Sequence, residues 1–501
     1  MEPPMSAPRV RPAWALALLA FAQLVISLDF NIVYVALPEI GRELRFSDQS
    51  LQWVVSAYAV AFGGFLLLGG RAADRLGRRR MFTLALGLYA ASSLVGALAG
   101  GPGLLVAARA VQGLGGALLF PATLSLINTT FAEGAQRNRA LAVWGGAGAS
   151  GLTLGSLLGG VLTDAFGWAS VFYVNVPLAG GAALLAPVLL RRDSGRPVLR
   201  GFDLPGALTA TAGVTLLVFA LVQGPESGWG SPRILAAVAA AAVLLAAFVV
   251  IEARTAAPLM PLRLLANPDL RAGMAITFVF MGTFSALPYF LTVYLQGVHS
   301  YSALRTGLAF LAPSVVIAAG TQLGERLAGR AGTRATLLTG LITGALGTAL
   351  LARGVAADAS YAALLPGIVV SGLGQGMTWT GMWIAAASGV RTDQQGIASG
   401  MASTAQQVGG AVGLAVLVAV ANARVGGLTG QALRHAEAGG VRAAVYLAAA
   451  GIAAGALVAL TLRRRTAPGA GDAPEAAARP VVPPPVSGPR GVPGPGRPAG
   501  R

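Results

Sequence analysis

The chain has no cysteine and no lysine, and its only histidines are His299 and His435. Missing thiols exclude disulfides and thiolate chemistry, and two imidazoles leave no material for a clustered soft-metal site. Without lysine there is no complete Walker A loop and no Schiff base, so the chain is not expected to hydrolyse nucleotide itself. Charge is scarce as well: Asp, Glu, Lys and Arg make up 11% of 501 residues, against about 25% in soluble proteins. Apolar residues are abundant, at 55%, with mean hydropathy +0.69. Stretches of about 20 apolar residues, enough to cross ~30 Å of hydrocarbon, follow one another along almost the whole chain. This is the composition of an all-α polytopic membrane protein, with no room for a separate soluble domain.

Fourteen spans are expected, over 14–38, 51–70, 81–99, 104–127, 140–163, 169–190, 204–223, 233–251, 272–295, 303–324, 335–353, 361–387, 397–421 and 441–462. An even number puts both termini on one side. Placing them in the cytoplasm leaves roughly 23 arginines in or beside cytoplasmic loops and roughly 8 outside, the bias of the positive-inside rule. The net charge of +17 therefore reads as topology, and no nucleic-acid partner is expected. The first apolar run is too long for a signal-peptide core and lacks a clear cleavage site, so it is expected to stay as the first helix. The external segment "ANARVGGLTGQALRHAEAGGVR" reads as a plain loop, with a surface amphipathic helix as the alternative. Beyond Arg465 the chain turns Pro/Gly/Ala-rich, which predicts a disordered cytoplasmic tail.

One polar interruption repeats. "LGGRAADRLGRRR", shifted by 255 positions, falls on "LGERLAGRAGTR". Gly69, Arg71, Arg75, Gly77 and Arg79 then meet Gly324, Arg326, Arg330, Gly332 and Arg334, while Asp74 meets Gly329. With spans 7 and 8 as an insertion, both copies fall between the second and third spans of a six-helix unit, as an internal duplication requires. The expected division is a cytoplasmic N-terminus at 1–13, a first six-helix half at 14–190, a linker carrying spans 7 and 8 at 191–271, a second half at 272–462 and the tail at 463–501.

Four stretches carry a resemblance. "GGRAADRLGRRR" is similar to the loop G-x-L-a-D-R-x-G-R-[RK], matched at Gly70, Asp74, Arg75, Gly77, Arg78 and Arg79. "LDFNIVYVALP" resembles the first-span pattern L-D-x-T-I-V-N-V-A-L-P, departing at Asn31 and Tyr34. "RAVQGLGGA" and "WASVFYVNVP" resemble the fourth-span and sixth-span patterns. These are motifs of the major facilitator superfamily, and specifically of its fourteen-span drug:proton antiporters. The resemblance implies two six-helix halves plus two extra central helices, multi-pass in the cell membrane. It also implies export of an amphipathic drug or antibiotic by alternating access, driven by the proton gradient without a cofactor. The span-5 antiporter motif survives as "GLTLGSLLGG" with Gly151, Gly155, Gly159 and Gly160, but Ser156 stands where proline is usual. An importer or facilitator of a small metabolite is the alternative reading. An intramembrane enzyme would need loops with paired carboxylates or a metal site, which no single loop supplies, and a sensor would not need the duplicated plan. The chain is expected to act as a monomer.

Only Asp29 and Arg109 fall clearly inside spans. Each costs roughly 2.5–3.5 kcal/mol at a helix centre, so both are expected to face a cavity and to pair. Asp29 lies about nine residues, ~14 Å, before the external end of its span, and Arg109 about five residues, ~8 Å, past the external start of its own. A modest tilt lets them meet. Burial favours the neutral acid and the arginine favours the carboxylate, the balance a proton-coupling site needs; a fixed structural ion pair is the other reading. The family uses such a pair for coupling, and its loop around Asp74 as a conformational latch. Between the halves, a substrate cavity could draw on Asn31, Tyr34, Trp53, Tyr58, Gln112, Trp144, Phe284, Tyr289, Trp379, Trp383, Gln406 and Gln407.

Overall fold

The computed structural model describes residues 12–462, except 48, 132–134, 194–202, 256–257, 389, 391–394 and 424–427. The tail beyond 462 thus lies outside the described residues. Every regular element among the described residues is helical. The first seven are α1 (Pro12–Glu43), α2 (Trp53–Leu76), α3 (Arg78–Ala97), α4 (Pro102–Thr130), α5 (Ala135–Phe166), α6 (Ser170–Tyr173) and α7 (Asn175–Leu189). Two follow as α8 (Leu204–Ser227) and α9 (Pro232–Arg254). The rest are α10 (Pro268–Thr283), α11 (Leu287–Val293), α12 (Ala303–Ala309), α13 (Leu311–Gly354), α14 (Tyr361–Ala387), α15 (Gln395–Ala421) and α16 (Gly430–Ala459).

Among the described residues, eleven stretches are long and apolar enough to cross a membrane. One of them, Ala303–Gly354, holds two passes, because Gly332 (φ 80°, ψ 168°) breaks α13. The sequence of α2 is likewise apolar over 53–70, and α14 dilutes its hydropathy with Ser371, Gln375, Thr378 and Thr380. The helix order is consistent with fourteen passes through the membrane. Below, the face where α1 begins is called the terminal face.

Helices α1 to α7 pack among themselves, chiefly α1 on α5, α2 on α4, and α3 on α4 and α7; α10 to α16 form a second group. The α8–α9 pair sits where the groups meet, with Val214, Val218 and Val222 against Ala59 and Val60 of α2 and Ala411 and Ala415 of α15. Small residues set the closest approaches. A Cβ on Gly151 would stand 2.6 Å from the Leu24 carbonyl, and one on Gly159 2.7 Å from that of Ile32; Gly155 lies against Leu28 in the same way. The glycine stripe of α5 is therefore seated on the backbone of α1. One position on, Gly160 turns to the second group and meets Ala303 and Leu304 of α12.

Away from the terminal face, one hydrophobic core joins both groups, running from Leu37 and Val54 through Phe172 and Tyr294 to Leu417 and Val445. Toward the terminal face each group has largely its own core. The bundle is thus sealed between its groups on the far side.

The repeated loop keeps its symmetry in the backbone. Gly77 (φ 108°) separates α2 from α3 and Gly332 makes the matching break in α13, both in the left-handed region that glycine enters freely. Gly69 packs on Ala117 of α4, and Gly324 on Met377 of α14. Arg79 and Asp193 form a reciprocal clamp at this loop. The Asp193 carboxylate accepts from the Arg79 and Arg80 amides, both at 3.1 Å, at the start of α3. The Arg79 guanidinium donates to the carbonyls of Pro187 (3.1 Å) and Leu190 (3.2 Å), where α7 ends. Each charge meets the helix end of opposite partial charge.

One expectation needs correction: much of the segment before the last span is neither plain loop nor a separate surface helix. From Gly430 it is the first turns of α16 itself, since "QALRHAEA" is rich in strong helix formers and Gly440 lets it lie against Ala421.

Candidate functional site

Asp29 and Arg109 meet inside the first helix group. Arg109 Nη1 donates to Asp29 Oδ2 at 2.7 Å, and the residues are 0% and 2% exposed. Further polar groups and two aromatic rings complete the site. Gln112 Nε2 donates to Asp29 Oδ1 (2.9 Å) and to Ser93 Oγ (2.8 Å), while its Oε1 accepts from Arg109 (2.6 Å). Asn175 Nδ2 donates to Asp29 Oδ1 at 2.6 Å. Arg109 Nε donates to the Val54 carbonyl at 2.9 Å, and its guanidinium lies 4.5 Å from the Tyr58 ring centre and 5.9 Å from that of Phe172. The carboxylate therefore has three donors and the guanidinium two acceptors besides it, the satisfaction a buried ion pair requires.

Local sequence explains the convergence. Gln112 follows Arg109 by three residues, so α4 presents both on one face. Trp168 is hung from the end of α1, its amide donating to Glu39 (3.2 Å) and its indole to Glu43 (2.7 Å). That anchor fixes the short α6, and α7 then begins at Asn175, level with Asp29.

The candidate cavity residues fall in several different surroundings. Neither Asp29 nor Arg109 faces the described cavity; the hydrogen bonds above do what water would have done. Gln112 belongs to this network, and Tyr58 is the ring beneath Arg109. A small cavity does lie between the helix groups, lined by Phe30 and Tyr34 of α1, Ser56 of α2, Met281 and Ser285, and Gln407 of α15. Gln407 rather than Gln406 faces it. Phe284 is a core residue packed on Phe280 and Gly344, Tyr289 sits in the far-side core against Phe290, and Trp53 packs against the α8 contact. Trp144 packs with its ring tilted against Phe120, 5.4 Å between centres. Trp379 is 39% exposed and pairs with Phe280 (5.7 Å) and Trp383 (6.0 Å). Of the loop residues, Gly70 lies beside Pro121, Arg75 and Arg78 have interaction partners, and the Asp74 side chain lies outside the described residues.

Two of the departures from the family pattern, Asn31 and Ser156, touch each other. Asn31 Nδ2 donates to the Leu152 carbonyl (2.9 Å) and to Ser156 Oγ (3.3 Å). A thermal-unfolding cycle of Asn31→Ala, Ser156→Ala and the double variant should therefore be non-additive. Both single changes remove the same bond, so the double variant should be more stable than their sum predicts by about 0.5–1 kcal/mol. Additivity within ~0.3 kcal/mol would mean that the contact is energetically idle.

A helical bundle in two packed groups, with a cavity between them and a satisfied ion pair buried in one, is the architecture of a secondary transporter. Comparison with known proteins gives the family. The model described as Major Facilitator Superfamily matches residues 19–414, and the chain belongs to that superfamily. It is 40% identical to the puromycin resistance protein pur8 of Streptomyces alboniger over 82% of each chain. It is 38% identical to the cephamycin export protein CmcT of Amycolatopsis lactamdurans, over 91% of this chain and 94% of that one. To the tetracenomycin C resistance and export protein of Streptomyces glaucescens it is 32% identical, over 84% and 78%. Among solved structures, the nucleoside transporter NupG superposes with a TM-score of 0.64 at 11% identity, covering 90% of this chain and all of that one. A bacterial homologue of the lysosomal transporter Spinster, inward-facing and unoccupied, gives 0.64 at 16% identity, over 91% and 98%. These two likenesses establish the fold alone.

Proposed function

We propose that the chain exports an amphipathic antibiotic or drug across the cell membrane in exchange for protons, with both termini and the terminal face in the cytoplasm. The single observation that carries the coupling is the buried Asp29 network, an ionisable acid held by three donors from α4 and α7 at once. When Asp29 takes up a proton, the new hydroxyl displaces one donor. If that donor is Arg109, the guanidinium keeps Gln112, Val54 and the Tyr58 face and stays solvated by the protein. Separating such a buried pair costs about 3–5 kcal/mol, and a charge moving through 100 mV supplies about 2.3 kcal/mol. Proton entry and helix rearrangement are thus of comparable size, which is what reversible coupling needs.

Relatives named for resistance to, or export of, three different antibiotics support an antibiotic as substrate. The side chains at the small cavity suit that class once the groups part, with two aromatic rings, a thioether, and serine and glutamine groups for orientation. No carboxylate lines it among the described residues, which favours neutral or singly cationic compounds. Division at 14–190 and 272–462 gives two halves that rock about the Gly160–α12 contact, with the Gly70–Arg79 loop as latch through the Arg79–Asp193 clamp. Everted vesicles test the reading: with acid inside, they should accumulate a lipophilic antibiotic several-fold over vesicles lacking the protein, and a protonophore should discharge it. Accumulation that ignores the pH gradient would leave a facilitator.

A further inference from the structure

The α8–α9 pair carries chemistry that the transport mechanism above does not use. Asp203 caps α8, its Oδ1 accepting from the Gly206 amide at 2.9 Å. Glu252 sits in the last turn of α9 and accepts from the Met260 amide through Oε2 at 2.8 Å. Both residues are 3% exposed, and each keeps one buried oxygen, Asp203 Oδ2 and Glu252 Oε1, with no donor among the described residues. The two side chains lie within hydrogen-bonding reach of each other. Two carboxylates cannot stand oxygen to oxygen in a dry site while both are ionised; a proton between them turns repulsion into a hydrogen bond.

We propose that Asp203 and Glu252 form a second proton-binding site, one proton bridging Oδ2 and Oε1, at the terminal-face end of the two inserted helices. The charged groups of α2 that bear on the pair are Arg71, directly, and Arg75, through Arg71. Arg71 also donates to the Pro258 carbonyl in the segment that leads from α9 to Met260. With one shared proton the pair carries a single negative charge, which Arg71 balances. Released to water at the terminal face, that proton leaves two opposed carboxylates, which loosens α8 from α9 and strengthens the pull on Arg71, two residues before Ala73 in the repeated loop. The role in transport rests on the exporter reading; the binding of the proton does not.

The amide variants test the site without dismantling it. Asp203→Asn keeps an oxygen for Gly206, and Glu252→Gln keeps one for Met260, while each puts an NH2 group where the shared proton stands. Purified, reconstituted protein is followed by infrared difference spectroscopy through a pH titration. The expected result is a protonated-carboxyl C=O band in the wild type that both pair variants lose and Asp29→Asn keeps. A wild type without such a band around neutral pH, or a band that survives in both pair variants, would overturn the proposal. Because this readout needs no transport, its failure is distinct from failure of the vesicle experiment.

Discussion

Asp29→Asn should leave a folded protein that can no longer accumulate substrate against its gradient, with pH-driven uptake into everted vesicles reduced at least about tenfold, the equivalent of ~1.4 kcal/mol or more of lost driving free energy. Asparagine imitates the protonated acid, so the variant is held in one protonation state. Its new NH2 group would face the donors of Gln112 and Asn175. Asn175 can rotate to offer oxygen instead, since its Oδ1 is buried without a partner among the described residues, while Gln112 stays in place, its Oε1 held by Arg109 and its Nε2 by Ser93. Arg109 retains its bonds to Gln112 and Val54. The substitution is therefore expected to separate coupling from folding. Substrate exchange at zero gradient should continue and antibiotic affinity should stay within about threefold, since the cavity is lined by neighbours of Asp29 and not by Asp29 itself. Full gradient-driven accumulation by this variant would return the pair to the status of a structural bolt.

How much of this was legible follows from what sequence encodes. Apolar run length fixes membrane passes, and the constant rise of a helix put Asp29 and Arg109 at depths close enough to meet. Duplication was readable because Gly77 and Gly332 perform the same backbone task, and only glycine performs it freely. Rotation about a helix axis was much less readable. Gln406 and Gln407 differ by about 100°, and only the packing of α15 decides that the second faces the cavity. Phe284 carries the same apolar label as Phe30, yet Gly344 accommodates its ring and turns it into core. Asn175 was visible in "WASVFYVNVP" as part of a motif, but its bond to Asp29 depends on the Trp168 anchor to Glu39 and Glu43, a contact over more than 120 positions. The Asp203–Glu252 pair escaped for the same reason. Its members lie at the ends of different helices, and no loop contains both.

Gly155→Val should have the largest effect on the folded state. At this position α5 lies on the carbonyl of Leu28, the residue before Asp29, closely enough that no side-chain rotation could make room for a Cβ. Gly151 and Gly159 hold the same seam at 2.6 and 2.7 Å from backbone oxygens, so the helix cannot tilt away at one point without opening the others. Overpacking a well-filled core costs about 1–3 kcal/mol when side chains can yield; here both sides of the contact are backbone, and the cost should reach or exceed the top of that range. Moving α1 outward also stretches the Asp29 bonds to Arg109, Gln112 and Asn175, which tolerate little change beyond 3 Å. The expected result is a sharp fall in detergent melting temperature together with loss of gradient-driven transport. Gly145→Val is the control, because the same helix there has nothing within 4 Å of the added Cβ, and its melting temperature should stay near that of the wild type. If Gly155→Val melts with the control and still transports, the seam between α1 and α5 is not what holds the proton site in register.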